Sequence, residues 1–197
     1  MKKWTIIITL LLIGGLCFGV TKLKKGESTK EEVYQEFFNK VISISSYECL
    51  ADVEVIGNKT PTKYKFKHKF NSSNTYIIET ILPQELAGNT VEYVGDKIII
   101  KNPKMNDTLE LPNEGEMSKN LFIGDFINNF KDSNDLVVEM DEDFLILKTN
   151  IKSSSEYFDT QILFVDKKTK TPHKMLILDK KQKERFIVKY SKFEYKK

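Results

Sequence analysis

TKYKFKHKF, residues 62–70, alternates cation and ring: Lys63, Lys65, Lys67 and Lys69 fall on one side of an extended chain, and Tyr64, Phe66, His68 and Phe70 on the other. Successive side chains of a strand point to opposite faces, so this period of two predicts a strand with one wet and one buried face. The same period runs through 47–57 (YECLADVEVIG) and 75–82 (TYIIETIL), and the segments between them, GNKTP and NSSN, hold the residues that tolerate tight backbone. Short turns between consecutive strands make antiparallel neighbours.

Working outward, further strands are expected at 90–94, 97–101, 107–111, 135–140, 143–149, 157–165, 174–179 and 184–194, eleven in all. Two helices interrupt them. Thr29 followed by Glu32 is a capping-box signature, and Val33, Phe37, Val41 and Ile44 recur at helical spacing, so a helix is expected over 29–45. Over 119–131, Phe122, Phe126 and Phe130 stack four apart, with Ile123 and Ile127 widening the stripe. No strand–helix–strand rhythm occurs, which excludes a parallel doubly wound sheet. The expected fold is mainly β (α+β): one large, curved antiparallel sheet whose concave face is covered by the two helices.

The 197 residues suit a single globular domain. A formal charge of +3, from 31 Lys and Arg against 28 Asp and Glu, lacks the strong positive field of a nucleic-acid binder, and no nucleic-acid partner is expected. Cys17 and Cys49 are the only thiols, too few for a disulfide framework or a four-thiolate zinc site.

Lys2 and Lys3 precede a run from Trp4 to Val20 that carries no charge, the arrangement of a secretory signal. Residues 1–20 are therefore a signal peptide or membrane anchor, 21–28 a polar tether, and 29–197 one domain. Three fates fit the leader. Cys17 is a candidate lipidation site, although Leu16 stands where lipoprotein processing wants a small residue. Cys17 and Gly19 also suit ordinary signal-peptidase cleavage, and the uncut run is just long enough to remain an anchor.

The residues offer little catalytic chemistry. His68 and His173 are the only imidazoles, far apart in the chain, with no metal-ligand spacing; His68 belongs to the ring face of its strand and His173 to a solvated turn. No nucleophile elbow, P-loop or dinucleotide fingerprint occurs, so no cofactor and no enzymatic activity are expected. Asp141 and Asp143 have the look of a small calcium run but sit between two apolar strands, where a hairpin turn explains them better.

Charge is more informative. Lys63, Lys65, Lys67 and Lys69 stand about 7 Å apart along one strand face and repel unless carboxylates face them. Asp52, Glu54 and Glu79 on adjacent strands are candidates; otherwise the stripe is an exposed edge made unattractive to further pairing, or a contact for a partner or an anionic surface. Along the chain, eleven acidic residues oppose two basic ones between Met105 and Leu147, and twelve basic oppose four acidic from Gln161 onward. Neighbouring strands would neutralise these halves, or else two oppositely charged faces would orient a partner.

The closing stretch, Asp166-Lys-Lys-Thr169-Lys-Thr-Pro172-His-Lys-Met-Leu-Ile-Leu-Asp179 and then Glu184-Arg-Phe-Ile-Val-Lys-Tyr190-Ser-Lys-Phe193, resembles the end of the LolA-like lipoprotein-carrier superfamily. Tyr93-Val-Gly95-Asp-Lys97-Ile-Ile-Ile-Lys-Asn102-Pro103 and Ile123-Gly124-Asp125-Phe126-Ile127 resemble its clostridial branch of germination lipoproteins. The resemblance implies an eleven-stranded half-barrel with helices over its open side. It implies, as function, either acyl-chain carriage in the concavity or partnership with the cortex N-acetylmuramoyl-L-alanine amidase in spore-cortex modification. A lipoprotein on a forespore or spore membrane is the implied location. Exposed strand edges also permit a homodimer by pairing or swapping.

Overall fold

The computed structural model describes residues 28–43, 45–57, 60–71, 75–113, 121–131, 135–151 and 155–196. The leader with Cys17 and the tether up to residue 27 lie outside them. Helix α1 spans Lys30–Ile42 and α2 spans Ile123–Lys131. The strands are β1 (Ser46–Val55), β2 (Thr62–Asn71), β3 (Thr75–Leu82), β4 (Thr90–Val94), β5 (Lys97–Asn102), β6 (Asp107–Pro112), β7 (Val137–Met140), β8 (Phe144–Asn150), β9 (Thr160–Asp166), β10 (Pro172–Leu178) and β11 (Glu184–Lys196). The expected count and order of elements are thus found.

All eleven strands join one sheet in the order β6-β5-β4-β3-β2-β1-β11-β10-β9-β8-β7, with antiparallel pairing throughout. Consecutive strands are neighbours except β6 and β7, and one pair of neighbours, β1 and β11, is not consecutive. β1 pairs with β11, Ser46 facing Lys196 and Val55 facing Phe186, with a bulge between Glu48 and Leu50. β6 and β7 occupy opposite edges, so the chain crosses the whole sheet between them, and α2 lies on that crossing.

Why the helices start where they do is local chemistry. The Glu32 amide donates to Thr29 Oγ1 at 3.3 Å while the Thr29 amide donates to Glu32 Oε2 at 2.9 Å, which satisfies two of the donors that a helix start leaves open. α1 ends at Ile42 rather than 45: Ser43 leaves helical geometry, with φ −82° and ψ 1°, and its hydroxyl bonds back to the Lys40 carbonyl. α2 is four residues shorter at its start than expected, part of that difference falling on residues 119 and 120, outside the described ones. β9 begins at Thr160 rather than 157 because Ser155 captures the amides of Tyr157 and Phe158 through its hydroxyl and closes a turn.

Alternation then sorts the faces. Tyr47, Cys49, Ala51 and Val53 of β1 are buried with Val33, Phe37 and Val41 of α1 and Ile123, Phe126 and Phe130 of α2. Leu145, Leu147, Leu163, Val165, Met175, Ile177 and Val188 complete this cluster, so the concavity over β1 and β8–β11 is filled by side chains. A second cluster, Tyr76, Tyr93, Ile98 and Phe122, seals the start of α2 against β3, β4 and β5. Glu48, Asp52 and Glu54 project the other way, onto the convex face.

Candidate interaction surface

β2 sits beside β1 at the middle of the sheet, and its inner face carries the four rings as expected. Tyr64 and Phe66 stack at 5.6 Å, His68 lies 5.0 Å from Phe122, and Phe70 lies 5.4 Å from Tyr47. His68 is fully buried, neither ring nitrogen has a hydrogen-bond partner, and burial pushes its pKa down to about 4. It is a neutral core side chain. His173 is exposed and stacks on Phe144 at 4.9 Å, on the far side of the sheet from His68's cluster. Burial raises the Cys49 thiol well above its ordinary range, the opposite of what a nucleophile needs. Asp141 Oδ1 accepts from the amides of Asp143 and Phe144, which makes the 141–143 segment the hairpin turn it resembles. Among the described residues no group of three or more His, Cys, Asp or Glu side chains is placed to hold a metal ion.

Helix α2 is fixed to both halves of the sheet. The Tyr76 hydroxyl donates to Asp125 Oδ1 at 3.1 Å, Asn129 Nδ2 to Gln161 Oε1 at 3.0 Å, and the Tyr190 hydroxyl to the Leu121 carbonyl at 3.0 Å. The close approach requires Gly124, since a Cβ there would stand 2.6 Å from Tyr76 Oη and 3.0 Å from its Cε1. Tyr76 is 2% exposed and cannot yield. Gly124→Ala, which in an open helix gains a few tenths of a kcal/mol or more, is therefore expected to cost about 1–3 kcal/mol through overpacking. Urea unfolding measures this, and an unchanged or raised midpoint contradicts it.

The convex face of β1, β2 and β11 holds the lysine stripe. Lys67 Nζ lies 2.7 Å from Glu48 and Lys65 Nζ 3.4 Å from Asp52, while Lys63 stands opposite Glu54 and Lys69 opposite Glu48 in register. The Lys67 hydrogen bond holds the Glu48 carboxyl below its ordinary pKa. Cross-strand pairing thus accounts for the two middle lysines, and it is Glu48, not Glu79, that takes the strongest contact. The ends of the stripe open onto grooves. One, of about 300 Å3, is lined by Lys63, Lys65, Asp52, Glu54, Leu82, Ile187 and Lys189. The other, of about 200 Å3, is lined by Lys69, Glu48, Ser46, Ile77 and Lys196. Leu82, Ile187, Lys189 and Lys196 were not legible as groove residues, because only the pairing of β1 with the last strand brings the C-terminal ones here. Among the described residues the acidic half is not gathered on one face: β6, with Asp107 and Glu110, and β7, with Glu139, lie at opposite edges, and Glu110 pairs locally with Lys97 of β5 at 2.9 Å.

The described residues thus form an open, curved antiparallel sheet with two helices over a filled concavity and with paired charges and two grooves on its convex face. The chain belongs to the family of YdcC-like sporulation proteins, whose model matches residues 1–197. It is similar, at 43% identity and a TM-score of 0.56, to a chain of the solved complex of the CwlD amidase with the GerS lipoprotein from Clostridioides difficile, the match covering 88% of this chain and 100% of that one. The matched chain is the GerS lipoprotein, the amidase's partner and not the amidase, and the present chain is likewise non-enzymatic. An uncharacterized conserved protein from Thermus thermophilus shares the fold at 14% identity and a TM-score of 0.54, over 83% of this chain and 87% of that one. A LolA superfamily protein from Nitrosomonas europaea matches at 13% identity and a TM-score of 0.44, over 83% and 93%. No curated protein matches. The resemblance carried by residues 93–103, 123–127 and 166–193 is thereby confirmed at the level of the family and of the GerS match.

Proposed function

We propose that this chain is a membrane-tethered spore lipoprotein, required for germination, that binds and activates the cortex N-acetylmuramoyl-L-alanine amidase. One observation carries the proposal: 43% identity along the whole of a GerS chain that is held in a complex with an amidase. The family's sporulation character supports the setting. Cys17, or the leader around it, is the membrane attachment, and residues 21–28 are the spacer. Lys63 and Lys69, at the groove ends of the lysine stripe, are the proposed partner contacts, with the paired Lys65 and Lys67 holding the strand between them. A scaffold of this kind raises the amidase's activity by binding its active state better than its inactive one. β6, exposed along its length with Leu109 51% and Leu111 37% exposed, offers an edge for a homodimer, which light scattering would detect.

The full chain co-expressed with the amidase is expected to co-purify with it and to raise its release of peptides from cortex peptidoglycan, and K63E/K69E to weaken both. Amidase activity that stays the same when the chain is added overturns the proposal. The rival function, acyl-chain carriage in the half-barrel, is opposed by the filled concavity over β1 and β8–β11; lipid found by native mass spectrometry in protein from a membrane-containing host would revive it.

A further inference from the structure

β8–β11 bury an apolar concave face, and their convex face carries apolar side chains among its lysines. On the convex side Ile146 faces Phe164 across β8 and β9, Ile162 faces Leu176 across β9 and β10, and Leu176 faces Ile187 across β10 and β11. These five side chains form one band over four adjacent strands. None of them belongs to either core cluster, and four are only half-buried. Lysines stand within the band: Lys148 opposite Ile162, Lys174 opposite both Phe164 and Lys189, with Lys174 Nζ 4.1 Å from the centre of the Phe164 ring. The carboxylates of this face lie at its margins: Glu139 opposite Ile146, Asp166 opposite Phe144 at the end of β9, Glu54 opposite Ile187, and Asp52 opposite Lys189 and 3.4 Å from Lys65.

We infer that this band docks on an anionic lipid surface. Aliphatic groups set level with lysine stems suit the headgroup boundary, where the stem lies along apolar surface and the ammonium reaches phosphate. The chain's own entry point supports the choice of occupant. The described chain begins beside β7, the strand next to the band, where Lys30 Nζ bonds to the Val138 carbonyl at 3.1 Å. From Cys17 to Thr29 the extended chain reaches about 40 Å, and four lysines lie between Thr21 and Lys30 inclusive. The inference rests on the tethered reading above and adds to it an orientation: convex side of β8–β11 down, helices and β6 away.

The test uses the full chain as I162C with an environment-sensitive fluorophore, on phosphatidylglycerol or phosphatidylcholine vesicles that contain a spin-labelled lipid. The unsubstituted chain, whose thiols are Cys17 and buried Cys49, gives the background. Quenching is expected on phosphatidylglycerol and not on phosphatidylcholine, and not for a label at T108C on β6. The double reversal K148E/K174E, which leaves Lys189 of the groove beside Lys63 unchanged, is expected to weaken the quenching on the order of a hundredfold in lipid concentration, with an unchanged circular dichroism spectrum. If the chain floats with both vesicle types while position 162 stays wet, the tether stands and the docking face falls. If it floats with neither, both fall. If it is quenched on phosphatidylglycerol but does not float with phosphatidylcholine, the docking face stands without the tether. A label that stays wet on lipid but is shielded by added amidase assigns the band to protein and overturns the inference.

Discussion

Phe122→Ala is expected to cost about 3–5 kcal/mol, the range for emptying a fully buried aromatic site. The ring is 0% exposed and lies 4.6 Å from Tyr76, 5.0 Å from His68 and 5.9 Å from Tyr93, so β2, β3 and β4 all lose a partner at once. Collapse cannot refill the gap cheaply, because Tyr76 is held by Asp125 and packed against Gly124. The damage should also be uneven. Phe126 and Phe130 remain seated in the larger cluster, so α2 keeps its hold on β8–β11 and is weakened on the other half of the sheet, where Tyr76 still binds Asp125. Urea unfolding reads the total, and amide exchange reads the distribution, with protection in β3 and β4 falling further than in β9 and β10. A loss below about 1 kcal/mol, the scale of an ordinary surface change, would contradict this account.

The second expectation concerns pH. His68 has its proton affinity lowered by burial, to about 4 from the ordinary 6.5. The unfolded chain takes up a proton near pH 6.5 and the folded one does not until about 4, so stability is full above 6.5 and falls as pH drops through that window. At 1.36 kcal/mol per unit the loss approaches about 3 kcal/mol by pH 4. His68→Phe removes a side chain whose two nitrogens lack partners and keeps a ring against Phe66 and Phe122. This variant should be at least as stable at pH 7 and nearly flat from pH 6.5 to 5. Below that, carboxyls held under their usual range, Asp166 by the Thr169 amide and Asp179 by the Lys183 amide, add their own losses in both proteins. An equal slope in the two proteins between pH 6.5 and 5 would place the pH dependence elsewhere.

Much of this molecule was legible in its sequence, for one reason. Alternation is a property of neighbours in the chain, so β2 with its four lysines and four rings, and β3, could be bounded to within a residue from the letters, as could the Thr29–Glu32 cap. What failed to show is whatever depends on distant residues. That β1 lies against β11 follows from no local pattern, and with it the groove formed by Lys63, Asp52, Ile187 and Lys189 was invisible. Gly124 was legible only as a letter of a family motif; the reason for it is a tyrosine 48 positions earlier. Which charged segments meet was not legible either, because strand order, not sequence order, decides adjacency, and β6 and β7 end up at opposite rims.

The seam between β1 and β11 also sets a timetable. The sheet's middle is made from the first and the last strands to be synthesised, and pairings between such remote segments close late. Until Glu184–Lys196 emerges, β1 has only β2 beside it, and the two halves of the molecule have no common spine. A polypeptide arranged in this way completes its spine only when Glu184–Lys196 is in place, so the two halves cannot lock together before that strand is added.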